Sequence, residues 1–323
     1  MSNFNTPYDD AFRTLLTDCS RLIVPLVNEI FHEDHPDNAE VELFQNELFI
    51  TCGDDKKRIT DSNFSIGKHG RYHIECQSST DGTIIIRVFE YATQIAITTA
   101  VLENDETTFT LPRSGILYLR STRNTLQGHT ITISAPDGNR LSYNVPAIAI
   151  QDYSIEEILN KKLWFLIPFY FFNFNLKKMD SSPEMIEEMK NFYKSLWLKL
   201  DEQVEKENIS EYEKCAIKAM CDKVANALAD NFSNVMEGVE NIMGGQVLDY
   251  EAKRIAREAA EKAAAKAAAK ATAETKISDG IEAVVKMFSK GKMSEDDIRD
   301  CYPEQFEAGK AKYLASLNEL KEM

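Results

Sequence analysis

Two carboxylates and an amide are spaced so that they can share one cation. In the segment 58–79, RITDSNFSIGKHGRYHIECQSS, the turn-like Gly67-Lys68-His69-Gly70 separates two β-like stretches, and a hairpin centred near Lys68 sets Asp61 opposite Glu75. Side chains alternate faces along a strand, so His73, Glu75 and Gln77 point one way, while Tyr72, Ile74 and Cys76 point into apolar packing. Carboxylates a few ångströms apart repel, and a hard divalent cation stabilises both as anions. Such a cation polarises a phosphoryl oxygen and lowers the pKa of a bound water, as phosphodiester hydrolysis requires. Asp61 and Glu75 as plain exposed positions on a strand face satisfy the same spacing. His69 and His73, flanking the turn, read as surface histidines.

The elements that must position these residues follow from hydrophobic periodicity. Residues 8–31 carry apolar side chains at helical spacing, with Pro25 as an expected kink, and predict an opening amphipathic helix. Strands are expected over about 41–51, 57–66 and 71–77, then a helix over 83–103. GILYLRS, HTITISA and LSYNVPAIAI read as further strands, so the first 150 residues or so predict an α/β core with mixed strand directions. On the 83–103 helix, Arg87, Tyr91 and Gln94 fall at spacings of four and three and form a polar stripe that can face the hairpin.

Taken with YDDAFRTLL at 8–16 and RVFEYATQIA at 87–96, the D…ExQ arrangement resembles the recombination-promoting nuclease (Rpn) and transposase-like family of the PD-(D/E)xK superfamily. The resemblance covers roughly residues 8–150. It implies a restriction-endonuclease-like core, a DNA endonuclease activity tied to recombination or mobile elements, and Mg²⁺, or Mn²⁺, as cofactor. By position it makes Asp61 and Glu75 the metal-binding acids, with the Cys76 backbone carbonyl as a further oxygen, and places Asp9 on the first helix to orient metal-bound water. Gln77 takes the place of the superfamily lysine. A neutral amide cannot supply the positive charge that stabilises a phosphorane-like state, so Arg87 is the candidate cation, with Tyr91 and Gln94 in support. Arg13, four residues beyond Asp9, meets either a phosphate or Asp9 itself.

Three regions are expected: a nuclease-like core over 1–153, a helical region packed on it over 154–248, and an extended helix with a small helical tail over 249–323. The run at 257–276, REAAEKAAAKAAAKATAETK, has high helix propensity but lacks a Leu/Ile seam, which predicts a solvated helix or a weak homo-oligomerisation stalk. A net charge of −15 over 323 residues argues against strong static binding of nucleic acid and predicts weak, salt-sensitive contact with DNA. Six cysteines without a CxxC pair, and a start without a basic segment followed by an apolar one, predict a cytoplasmic chain. The apolar run LWFLIPFYFFNF at 163–174 is too short to span a membrane and reads as buried core. The HEDH cluster at 32–35 reads as an exposed polar turn. Nucleotide-binding, serine-hydrolase, zincin and dinucleotide motifs are lacking. The reading from a different class is a nuclease-fold scaffold, catalytically weak or inactive, that acts through protein interactions of its helical tail.

Overall fold

The computed structural model describes residues 6–44, 47–49, 57–59, 62–68, 70–78, 83–121, 125, 127–244, 246–291 and 293–322. The chain divides into two compact units, Met1–Glu251 and Ala252–Met323.

Residues 8–31 form two helices where one kinked helix is expected: α1 (Pro7–Asp18), a 3-10 turn (Ser20–Ile23) and α2 (Val24–Phe31). Pro25 explains the break. It lacks an N–H and clashes with the carbonyl four residues back, so a helix admits it only in its first turn, where it stands in α2. A capping box between Thr6 and Asp9 starts α1.

The chain continues through β1 (Val41–Leu43), β2 (Glu47–Phe49), β3 (Lys57–Ile59), β4 (Phe64–Ile66), β5 (Arg71–Gln77), α3 (Ile84–Thr98), β6 (Val101–Glu103), β7 (Glu106–Thr108), β8 (Arg113–Tyr118), β9 (Gly128–Ser134) and β10 (Arg140–Ala149). Six of these strands make one mixed sheet in the order β1-β4-β5-β8-β10-β9. The β4–β5 hairpin pairs Phe64 with Tyr72 and Ser65 with Arg71, a register centred on Lys68 as the spacing predicts. β5 and β8 are parallel, and so are β8 and β10, while the outer pairs are antiparallel. The expected strands over 41–51 and 57–66 are each divided, because β2 and β3 pair with each other as a separate ribbon. The expected helix over 83–103 ends at Thr98. Beyond it β6 and β7 form a hairpin whose turn residues Asn104 and Asp105 both adopt positive φ, 48° and 65°, as a tight hairpin turn demands.

One face of the sheet carries Ile116, Tyr118, Val145, Ala147 and Ala149, covered by Ile84 and Val88 of α3. The other face, with Tyr72, Ile74, Cys76 and Leu117, enters a core shared with α1 and α2 and with the helices after 153. Those are α4 (Ile155–Asn160), α5 (Leu176–Met179), α6 (Pro183–Glu205), α7 (Glu211–Ala229), α8 (Ser233–Met243) and the start of α9 (Gln246–Lys290). The apolar run forms a buried 3-10 segment, Trp164–Asn173, whose phenyl groups contact α1 and α6. Among the described residues no helix is long and apolar enough to cross a membrane.

Two polar ties close this core. Arg21 donates from Nε and Nη2 to the buried Glu213 carboxylate, and Tyr250 donates to Asp18 at the end of α1. In the second unit, α9 is followed by α10 (Glu295–Cys301) and α11 (Phe306–Glu322), and Val284, Ile298 and Phe306 make a small core. The described side chains of α9 at 253–262 are mostly exposed, and Arg254–Glu258 and Arg257–Glu261 pair along the helix, as a solvated surface predicts.

Gly115 lets α2 lie directly on β8. A Cβ there would stand 2.8 Å from Ile30 Cγ2 and 3.0 Å from Phe31 Cζ. Gly115→Ala is therefore expected to lower stability by about 1–3 kcal/mol in urea unfolding, the cost of overpacking a filled interior. Burial pushes the Glu213 carboxyl up, but hydrogen bonds from Arg21 and Ser210 outweigh it and hold the group below the usual carboxylate range. Stability from this tie is present above the unfolded carboxyl pKa and is lost as pH falls through the depressed folded value. Glu213→Gln should cost about 1–2 kcal/mol at neutral pH, and urea midpoints of the variant and native chains should converge below about pH 4.

Candidate active site

The site is built on β5, the strand between antiparallel β4 and parallel β8. Its alternate residues His73, Glu75 and Gln77 face α3 and are 0%, 3% and 4% exposed. A carboxylate at that depth needs donors, and two elements supply them. From its own strand, His73 Nε2 lies 3.0 Å from Glu75 Oε1. From α3, Arg87 Nη2 lies 3.6 Å from Glu75 Oε2 and donates to Gln77 Oε1 at 2.6 Å. Because Arg donates only, this contact sets the Gln77 amide with its oxygen toward the guanidinium. Arg87 and Tyr91 of the polar stripe on the 83–103 helix thus face β5. Arg87 stands at the rim with its side chain 36% exposed, and Tyr91 meets the His73 ring edge-on at 5.8 Å.

His73 corrects the expectation of a surface histidine. Its imidazole is enclosed, and its second nitrogen, Nδ1, lies 3.3 Å from Ser114 Oγ on β8. Ser114 Oγ in turn lies 3.5 Å from Pro112 O, to which its hydroxyl donates, so the imidazole is held between Ser114 and Glu75. The parallel register sets His73 beside Ser114 and Glu75 beside Ile116. Alternation puts His73 on the Glu75 face, but nothing in the sequence marks Ser114.

Asp61 and His69 lie outside the described residues. On the approach to Asp61, buried Ser62 replaces the strand ladder: its hydroxyl accepts from Ile74 N at 2.6 Å and donates to Ile74 O at 2.9 Å. Among the described residues no group of three His, Cys, Asp or Glu is gathered as a metal site. Asp9 is engaged at the start of α1, where its carboxylate accepts from Thr6 N at 2.9 Å. Arg13 and Gln94 are half-buried on α1 and α3. Cys76 turns its side chain into the core on the opposite face of β5, which leaves its backbone carbonyl as the only oxygen it offers.

The HEDH cluster is a second correction. His32 and Asp34 are exposed, but Glu33 and His35 turn inward. Glu33 Oε2 accepts from the Tyr72 hydroxyl at 2.6 Å and lies 2.6 Å from His35 Nε2, while Arg113 pairs with Oε1. Burial raises the pKa of the Tyr72 hydroxyl and keeps it a donor. The network anchors the end of α2 to the start of β5 and β8.

Comparison with known proteins finds no matching family model, no matching curated protein and no matching solved structure.

His73→Phe removes the buried donor to Glu75 and should cost about 2–3 kcal/mol in urea unfolding. A double-mutant cycle with Glu75→Gln should return a coupling of at least about 1 kcal/mol, and additive effects would show that the two side chains do not interact.

Proposed function

We propose that residues 1–153 form a PD-(D/E)xK-type nuclease core, akin to the recombination-promoting nuclease and transposase-like family, that hydrolyses phosphodiester bonds in DNA with Mg²⁺ or Mn²⁺. One observation carries this reading: Glu75 and Gln77 stand two residues apart on the buried face of β5, and one guanidinium, Arg87, reaches both. The order of helix, antiparallel strands, helix and parallel strand supports the same fold type.

The donor set fits a hard cation, since Glu75 and the Cys76 carbonyl offer only oxygen, while the Gln77 amide oxygen is turned to Arg87. Asp61 and Glu75 would hold the metal, with the Cys76 carbonyl, and the metal would supply Lewis acidity toward a phosphoryl oxygen and a water of lowered pKa. The remaining work falls to the chain. Gln77 orients Arg87, whose fixed charge stabilises negative charge developing on the phosphoryl oxygens, in the role that a lysine holds elsewhere in the superfamily. His73, held by Ser114, keeps the Glu75 carboxylate in one orientation.

The scaffold reading is favoured by a different fact: protein groups already face both carboxylate oxygens of Glu75 and the amide oxygen of Gln77. Nicking of supercoiled plasmid at low salt, with Mg²⁺, Mn²⁺ or EDTA, separates the two readings. Metal-dependent nicking by the native chain is expected, abolished by Asp61→Ala and Glu75→Gln and slowed about 10²–10³-fold by Arg87→Met. Equal behaviour of native and variant chains would leave the scaffold reading.

A further inference from the structure

Just past β8 the chain supplies Arg120 to the rim of a cavity of about 450 Å³ in the first unit. The backbone leading to it is pinned to the candidate site, because Leu119 N donates to Gln77 O at 2.8 Å. β5 and β8 are parallel, so both end at this edge, the place where ligands enter open α/β sheets. Phe172, Phe174 and Phe232 supply aromatic walls, and Asn173 and Asn175 supply amides. The Arg120 guanidinium lies 5.1 Å from the centre of the Phe172 ring, which Tyr8 meets edge-on from α1. Lys177 adds a second exposed cation to the lining.

The chain carries −15 overall, yet among the described residues no acidic side chain lines the hollow. Neither Arg120 nor Lys177 enters a salt bridge among the described residues. Cations without carboxylate partners beside phenyl faces fit a ligand that alternates negative charge with flat apolar rings. Nucleic acid does so, and only an unpaired strand exposes the face of a base.

We propose that this cavity is a single-strand nucleic-acid subsite, in which a base lies against the phenyl wall and the flanking phosphates meet Arg120 and Lys177. The inference rests on the nuclease reading and names its substrate class: unpaired or frayed strands, fed toward the end of β5.

Fluorescence anisotropy with the full chain in EDTA, across a salt series, tests it. The probes are a labelled twelve-nucleotide oligo(dT) and a duplex of equal length. Native chain should bind the single strand at least about tenfold more tightly than the duplex. Arg120→Ala with Lys177→Ala should weaken single-strand binding at least about tenfold and reduce the log–log salt slope by roughly one to one and a half, the loss of two phosphate contacts. Phe232→Leu should weaken binding about fivefold with the slope unchanged, as loss of stacking predicts. Undiminished binding by the double charge variant, with native thermal stability, would overturn the proposal, as would equal affinity for duplex. Full displacement of the oligonucleotide by millimolar dTMP would overturn it in favour of a mononucleotide site. If the double charge variant loses binding while the native chain fails to nick plasmid, the subsite stands and the nuclease reading falls. If that variant keeps its binding while Glu75→Gln loses nicking, the nuclease reading stands and the subsite falls.

Discussion

A carboxylate at 3% exposure in the middle of a sheet cannot be left to solvent, and much of the first unit is arranged around Glu75. Its donors come from two places. His73 shares its strand face, and Arg87 must be carried in by a helix, which requires α3 to cross over β5 and β8 with its polar stripe turned inward. That crossing makes the two strands parallel neighbours, and parallel pairing sets Ser114 against His73. One buried side chain thus ties together the orientation of α3, the pairing of β8 and the placement of a buried histidine.

The opposite face of the sheet is under a different constraint. Tyr72, Ile74 and Leu117 need an apolar cover broader than α1 and α2 provide, and the 3-10 segment at 164–173 extends it with its phenyl groups. Pro168 suits that segment, since a rod of α-helix would project about a third of its side chains to water. The helices that follow are held by Glu213 to Arg21 of the 3-10 turn and by Tyr250 to Asp18 of α1, polar ties at the border of the core. Gly115 adds a third condition, because α2 reaches the sheet only where no side chain intervenes.

Much of this is legible in the residues. The hairpin register centred on Lys68, the division of β5 into a polar and an apolar face, the inward stripe of α3 and the buried 163–174 run all follow from periodicity and spacing. Legibility ends where a short-range signal is weak. The Asn104-Asp105 turn follows so closely on α3 that helical periodicity runs into it, and Pro25 breaks a helix that it is expected only to bend. His73 and His35 read as surface residues because a polar side chain looks exposed until its buried partners are known.

By itself, then, the sequence determined which residues share a face, because pleat and helix repeat are properties of the local backbone. It therefore specified the β5 triplet of His73, Glu75 and Gln77, and it marked Arg87 as an inward-facing cation. Only the tertiary structure decided what those groups meet. Ser114 beside His73, Arg113 with Glu33, and Arg120 and Lys177 around one aromatic hollow are pairings across dozens of residues. They depend on strand order and on how helices close over the sheet, and no local period encodes either.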